Sequence, residues 1–66
     1  MKNTIKVERA IKDMTQQDLA TVIGVSRQTI NSMESGKYVP STVLALKISQ
    51  FFGKTVNEIF TLEEGD

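Results

Sequence analysis

The sequence contains no cysteine and no histidine in its 66 residues. The first absence excludes disulfides and thiolate metal sites; the second removes the commonest general base and metal ligand. There is no glycine-rich phosphate loop and no metal-ligand cluster, and the candidate acid/base groups Asp13, Asp18 and Glu34 have structural roles open to them. Catalysis is not expected, and neither is a cofactor or a metal ion. No apolar run approaches the roughly 20 residues that cross a bilayer, and the start, MKNTIKVERA, has no hydrophobic segment of the signal-peptide kind. A cytoplasmic protein with no membrane partner is the expectation. A chain of this length makes one domain, residues 1–66, with a small core and marginal stability. Without disulfides or a metal, oligomerisation is a common remaining way to stabilise it.

Net charge is also lacking, but its distribution is uneven. Through Asn57 there are eight basic residues against four acids, a net of +4, and Glu58, Glu63, Glu64 and Asp66 return four negative charges in the last nine residues. A basic body with an acidic tail suits nucleic-acid binding with the tail held off the phosphates. It equally suits a soluble surface with a frayed acidic end, so charge alone does not decide.

Apolar periodicity and capping residues give the organisation. Ile5, Val7, Ala10 and Ile11 predict a first helix over about Thr4 to Asp13. Thr15 is an N-cap with Asp18 in a capping-box position. Leu19, Ala20, Val22 and Ile23 give the second helix a buried stripe, and Gly24 ends it. Ser26 caps a third helix with Ile30 and Met33 on its inner face and Gly36 at its end. Pro40-Ser41 opens a fourth, the most apolar, carrying Val43, Leu44, Leu46, Ile48, Phe51 and Phe52 and closed by Gly53. Val56 to Phe60 predicts a short fifth helix capped near Thr55 or Asn57. IFTLEE has weak strand character and needs a partner; Met1 to Asn3 is the one available in the chain.

The stretch QQDLATVIGVSRQTINSMESGK, Gln16 to Lys37, has a particular layout. Ala20 is small where two helices cross closely. Gly24 follows at the turn, and Val25 and Ile30 point inward beyond it. That is the layout of a DNA-binding helix-turn-helix, over about residues 16–35, in which the second helix enters the major groove and its N-terminal residues read base edges. The outer side of that helix carries Arg27, Gln28, Thr29, Asn31 and Ser32. Glutamine and asparagine pair bidentately with adenine, and arginine with guanine. Gln28 and Thr29 lie in the first turn, where reach is best. Asn31 and Ser32 suit flanking bases or a phosphate, and Arg27 suits guanine or the backbone.

The residues Gln16, Leu19, Ala20, Gly24, Val25, Ser26, Ile30, Glu34, Gly36 and Lys37, with GKYVPS followed by LALKI, resemble the Cro/cI-like (XRE-type) helix-turn-helix regulators over about Ile5 to Phe60. The length, SRQTIN and the short ends are similar to the small dimeric bacterial repressors of that class. The resemblance implies an all-α, compact five-helix lambda-repressor-like domain, to which the terminal strands add a small two-stranded antiparallel element. It implies phosphate contacts from Gln16, Lys37 and Tyr38. Ser26 can cap its helix, donate to phosphate, or do both, and Tyr38 also suits packing of its loop. The resemblance further implies an Arg9–Glu34 ion pair that orients the third helix.

Phe51, Phe52, Ile59, Phe60 and Leu62 are many large apolar groups for so small an interior. Some suit the core alone; the sharper reading is a two-fold dimer built from the C-terminal part of the chain, about residues 54–66. Two recognition helices would then lie about 34 Å apart and select a palindromic site. The expected function is a homodimeric, sequence-specific regulator of transcription that binds double-stranded DNA, more simply a repressor. The alternative is an antitoxin or adaptor whose main partner is another protein. A ligand-gated regulator would have to be controlled through dimerisation or a partner protein.

Overall fold

The computed structural model describes all residues, Met1–Asp66. The order is β1 (Lys2–Asn3), α1 (Ile5–Ile11), α2 (Gln16–Ile23), α3 (Arg27–Glu34), α4 (Thr42–Phe52), α5 (Val56–Ile59) and β2 (Phe60–Thr61). The strands pair antiparallel, Lys2 with Thr61 and Asn3 with Phe60. This is the all-α fold expected, with the small terminal ribbon. No helix is long and apolar enough to cross a membrane.

Short helices need their ends satisfied, because each leaves four N–H and four C=O groups without intrahelical partners. Four starts are capped by hydroxyls. Thr15 and Asp18 form a reciprocal capping box at 3.0 Å in both directions, and Thr55 and Glu58 form a second. Ser26 accepts from the Thr29 N–H at 3.1 Å and Ser41 from the Leu44 N–H at 3.2 Å. The exception is α1. Thr4 makes no cap bond and its Oγ1 is buried without a partner. Asn3 Oδ1 instead takes the Ile5 N–H at 3.2 Å.

The helix ends share one device. Positive-φ residues follow α1, α2, α3 and α4 at Asp13, Gly24, Gly36 and Gly53. After α3, the Lys37 N–H returns to the Ser32 carbonyl and the Gly36 N–H to that of Met33, the paired closure of a Schellman motif. After α1, the Met14 and Asp13 N–H groups return to Arg9 and Ala10 in the same pattern. The first helix therefore stops at Ile11, short of the expected Asp13, because Asp13 (φ 54°) takes the place that glycine fills elsewhere.

One core joins every helix: Ile5 from α1; Leu19, Ala20 and Ile23 from α2; Ile30 and Met33 from α3; Leu44, Ile48 and Phe52 from α4; Ile59 and Phe60 from the end. The spacing of Leu44, Ile48 and Phe52 is one helical row. Several apolar residues expected inside are outside, because each helix presents only a narrow inner stripe. Val7 and Ile11 on α1, Val22 on α2, and Val43 and Leu46 on α4 are more than half exposed. The residues expected at a dimer interface divide between the core and the surface. Phe52, Ile59 and Phe60 are core residues of the single chain, and Phe51 is half-buried; only Leu62, at 77% exposure, stands largely free. The interior is larger than composition suggested because α5 packs on α4 and its exit strand is held to β1, delivering Ile59 and Phe60 inward.

Two polar ties close the ends. Lys54 Nζ lies 2.6 Å from Glu8 Oε2, joining the α4–α5 turn to α1, and this contact holds the Lys54 ammonium above its ordinary value. The Met1 amine lies 3.1 Å from both Glu63 and Asp66, so the acidic end sits on the ribbon.

Candidate nucleic-acid interface

The α2–α3 pair makes the most extensive interhelix contact in the chain. Ala20 is fully buried in it, and the Gly24 and Val25 N–H groups both return to the Ala20 carbonyl, at 2.8 and 3.0 Å. Gly24 has φ 88°, and a Cβ there would meet nothing within 4 Å. Glycine is needed for the backbone conformation, not for space. Ile30 and Met33 are fully buried and fix the inner side of α3; truncating Ile30 to alanine would cost about 2–5 kcal/mol.

With that side anchored, the opposite side of α3 faces outward. Arg27, Gln28 and Asn31 are exposed, while Thr29 and Ser32 are half-buried. Gln28, Thr29, Ser32, Lys37 and Tyr38 line one open depression. The backbone makes this possible. Lys37 and Tyr38 both donate their N–H groups to the Ser32 carbonyl, at 2.9 and 3.2 Å, so the loop folds back beside the helix. Three of the five expected base-reading residues and two of the four expected phosphate residues thus share one surface. Arg27 and Asn31 lie on the same helix outside the depression, and Arg27 has no ion-pair partner.

Several of these groups are held in advance. Gln28 Nε2 lies 3.3 Å from Ser32 Oγ, one helical turn away. Ser26 Oγ is 2.9 Å from Thr29 Oγ1, and either can donate. Ser26 therefore caps α3 with its lone pair, and the Thr29 hydroxyl is engaged with the cap.

Arg9 and Glu34 form the expected pair, with Nε to Oε2 at 2.6 Å and the second guanidinium arm to Oε1 at 3.0 Å. The two hydrogen bonds hold the Arg9 guanidinium above its ordinary value, against the opposing effect of burial. Arg9 also donates to the Met14 carbonyl at 2.8 Å, so one side chain ties α1 to the end of α3 and to the loop before α2. Gln16 joins this network, its Nε2 lying 3.2 Å from Glu34 Oε1. The expected phosphate residue is thus tethered through one amide proton and keeps the other.

Asn3 was missed in the sequence. Its Nδ2 donates to the Met33 carbonyl in the last turn of α3 at 2.8 Å, fixing that helix to the terminal ribbon. The partners are 30 residues apart, and no local pattern announces such a contact. The Glu8–Lys54 pair, 46 residues apart, was invisible for the same reason.

Comparison with known proteins places these features in context. The Helix-turn-helix family model matches residues 5–59. An uncharacterised helix-turn-helix-type transcriptional regulator of Methanocaldococcus jannaschii is 52% identical over the whole of both chains. Another, of Bacillus subtilis, is 45% identical over 97% of each chain. The helix-turn-helix-type transcriptional activator BcrR of Enterococcus faecalis is 41% identical over 85% of this chain, which covers 28% of that longer protein.

Proposed function

The chain belongs to the XRE-type helix-turn-helix family of transcriptional regulators, which bind DNA and are not an enzyme family, and on that premise we propose that it is a homodimeric repressor reading a palindromic operator in the cytoplasm. The observation that supports this reading best is the single depression on which Gln28, Thr29 and Ser32 of α3 meet Lys37 and Tyr38 of the following loop. Base edges and phosphates lie within a few ångströms of each other in a duplex, and one protein surface must offer groups for both.

Gln28 is the principal base reader, its free carbonyl and remaining amide proton suited to adenine. Thr29, with its hydroxyl engaged by Ser26, offers its methyl to a thymine methyl. Arg27 takes a guanine or the backbone, and Asn31 and Ser32 act at the flanks. Lys37 and Tyr38 hold the sugar-phosphate chain. Gln16 holds it too, through its remaining amide proton and the N–H groups at the start of α2. Ser26 adds a hydroxyl. Arg9 and Glu34 set the angle of α3 and touch no DNA.

The dimer forms through a surface that keeps Phe60 and Leu62 of the expected interface and adds the start of α4. Met1, Val39, Pro40, Thr42, Ala45, Leu46, Val56 and Phe60 line a groove without a charged side chain. A two-fold contact sets a patch against its own copy, so any unpaired charge near the axis would meet its like; no side chain of this lining is charged, and the Met1 amine is paired with Glu63 and Asp66. Leu62 follows Phe60 by two residues and is exposed for the same contact. Repression follows by occupancy of the operator.

Selection of bound fragments from random duplexes tests the reading. A symmetric consensus with half-site centres about 10–10.5 base pairs apart, or a multiple of that, is the expected result. Enrichment of a lone, asymmetric half-site would remove the dimer, and no enrichment would remove base reading altogether.

A further inference from the structure

A second apolar surface lies where the C-terminal ends of α1, α2 and α4 meet. Val22, Ile23, Lys47, Gln50 and Phe51 line a groove there, and Lys12 stands 5.6 Å over the Phe51 ring. Val22 is 54% exposed, and Ile11, next to Lys12 at the end of α1, is 69% exposed. The core uses none of this exposed apolar area. None of the residues assigned to DNA or to the two-fold contact lines this groove except Phe51, which the sequence had suggested for the dimer.

The charges around it distinguish the possible occupants. Arg9 is neutralised by Glu34, and Lys54 by Glu8, but Lys12 and Lys47 have no ion-pair partner. No acid lines the groove. A second copy docked by two-fold symmetry would place these lysines against a surface carrying the same charge. Nucleic acid would satisfy the lysines but gain nothing from an isoleucine, a valine and an aromatic ring. An amphipathic helix with an acidic flank satisfies both, its apolar row against Val22, Ile23 and Phe51 and its carboxylates beside Lys12 and Lys47.

We propose that this junction is a docking site for an acidic amphipathic helical segment of another protein, separate from the DNA-binding surface. The proposal does not rest on the operator reading, and either can fail alone.

The test uses the full-length, isotope-labelled protein and two designed helical peptides. They share one apolar row of leucine and phenylalanine; one carries glutamate and aspartate on its flank, the other lysine. The acidic peptide is expected to shift the amide resonances of Ile11, Lys12, Val22, Lys47, Gln50 and Phe51 saturably, and the basic peptide to leave them in place. The double variant Lys12→Glu, Lys47→Glu is expected to weaken the acidic peptide by about fivefold or more, since each exposed pair is worth up to about fivefold, while binding operator DNA like the wild type. Phe51 packs on the core, so the apolar part is tested at exposed Val22→Ser, which is expected to weaken the peptide in a folded protein. Absent or unsaturable shifts, or an equal response to both peptides, overturn the proposal. So do shifts of the same residues caused by raising the protein concentration alone, which would reveal self-association, or by duplex DNA, which would reveal a second nucleic-acid surface.

Discussion

Gln28 and Lys37 sit in one depression, yet the roles proposed for them are separable. Gln28 carries an amide that distinguishes bases, so Gln28→Ala is expected to cost about 1–3 kcal/mol of discrimination at one base pair per half-site. Selection with the variant would show relaxed preference there. Lys37 carries a point charge that any phosphate satisfies. Lys37→Ala is expected to weaken all duplexes about equally and to lower the salt slope of binding by about one per contacted phosphate. An unchanged consensus for Gln28→Ala would assign base reading to another residue. Asp13 makes a point about stability at the same scale. It stands where α2, α3 and α4 are followed by glycine, with φ 54°. Aspartate tolerates that conformation better than most residues but not freely. Asp13→Gly is expected to stabilise by a few tenths of a kcal/mol up to about 1 kcal/mol, relief of backbone strain exceeding the added freedom of the unfolded chain. Urea unfolding reads the difference.

At the scale of elements, the hydroxyl caps were legible because each is local: Thr15 with Asp18, Ser26, Ser41 and Thr55 all act on an N–H three residues on. The glycine stops were legible for the same reason. What was not legible depends on distant partners. Asn3 reaches the end of α3, and Glu8 reaches Lys54, only after the chain has folded. Which of Phe51, Phe52, Ile59, Phe60 and Leu62 serve the core was not decidable from composition, which counts apolar side chains without saying which of them the packing of α5 on α4 turns inward. In the site, the amide-bearing face of α3 was readable, whereas the tether of Gln16 to Glu34 was not. The Arg9–Glu34 pair joins elements, and its cost can be measured. Arg9→Met leaves a largely buried carboxylate unpaired and is expected to destabilise by about 3 kcal/mol; adding Glu34→Leu should recover most of that, because a buried pair replaced by apolar groups is nearly neutral. If the double variant binds operator as well as wild type, the pair does not orient α3. The Thr55–Glu58 capping box adds a pH dependence. Glu58 is held below its ordinary value of 4.5, chiefly by the Thr55 N–H. Its contribution is therefore complete above pH 4.5 and is lost as the pH falls through the lower, folded value. The stability gap between wild type and Glu58→Gln, followed by thermal unfolding, is expected to be constant from pH 7 to 5 and to shrink in acid.

At the scale of the molecule, the charge and the apolar surface are sorted. The acids Glu63 and Asp66 are gathered at the Met1 amine on the terminal ribbon, while Arg27 and Lys37 remain unpaired beside α3. Tyr38 lines the surface assigned to DNA and the next residue, Val39, lines the groove assigned to the second copy, so one loop serves both. On the proposed reading dimerisation is a condition of tight binding: a single reading helix would leave half the operator untouched, and joining two would gain about 10²- to 10⁴-fold through effective concentration. Leu46 isolates the effect. It is 55% exposed, lines the groove and lies outside the core, so Leu46→Glu should leave the single chain folded while setting two carboxylates against each other across the axis. Sedimentation is expected to show a dimer for wild type and a monomer for the variant. The wild-type unfolding midpoint should rise with protein concentration, and the variant's should not. Affinity for a palindromic duplex should fall at least about 100-fold, whereas affinity for a single half-site stays unchanged. A variant that sediments as a dimer would place the contact elsewhere on the chain. A variant that is monomeric yet binds the palindrome as wild type does would show that the two reading helices act independently.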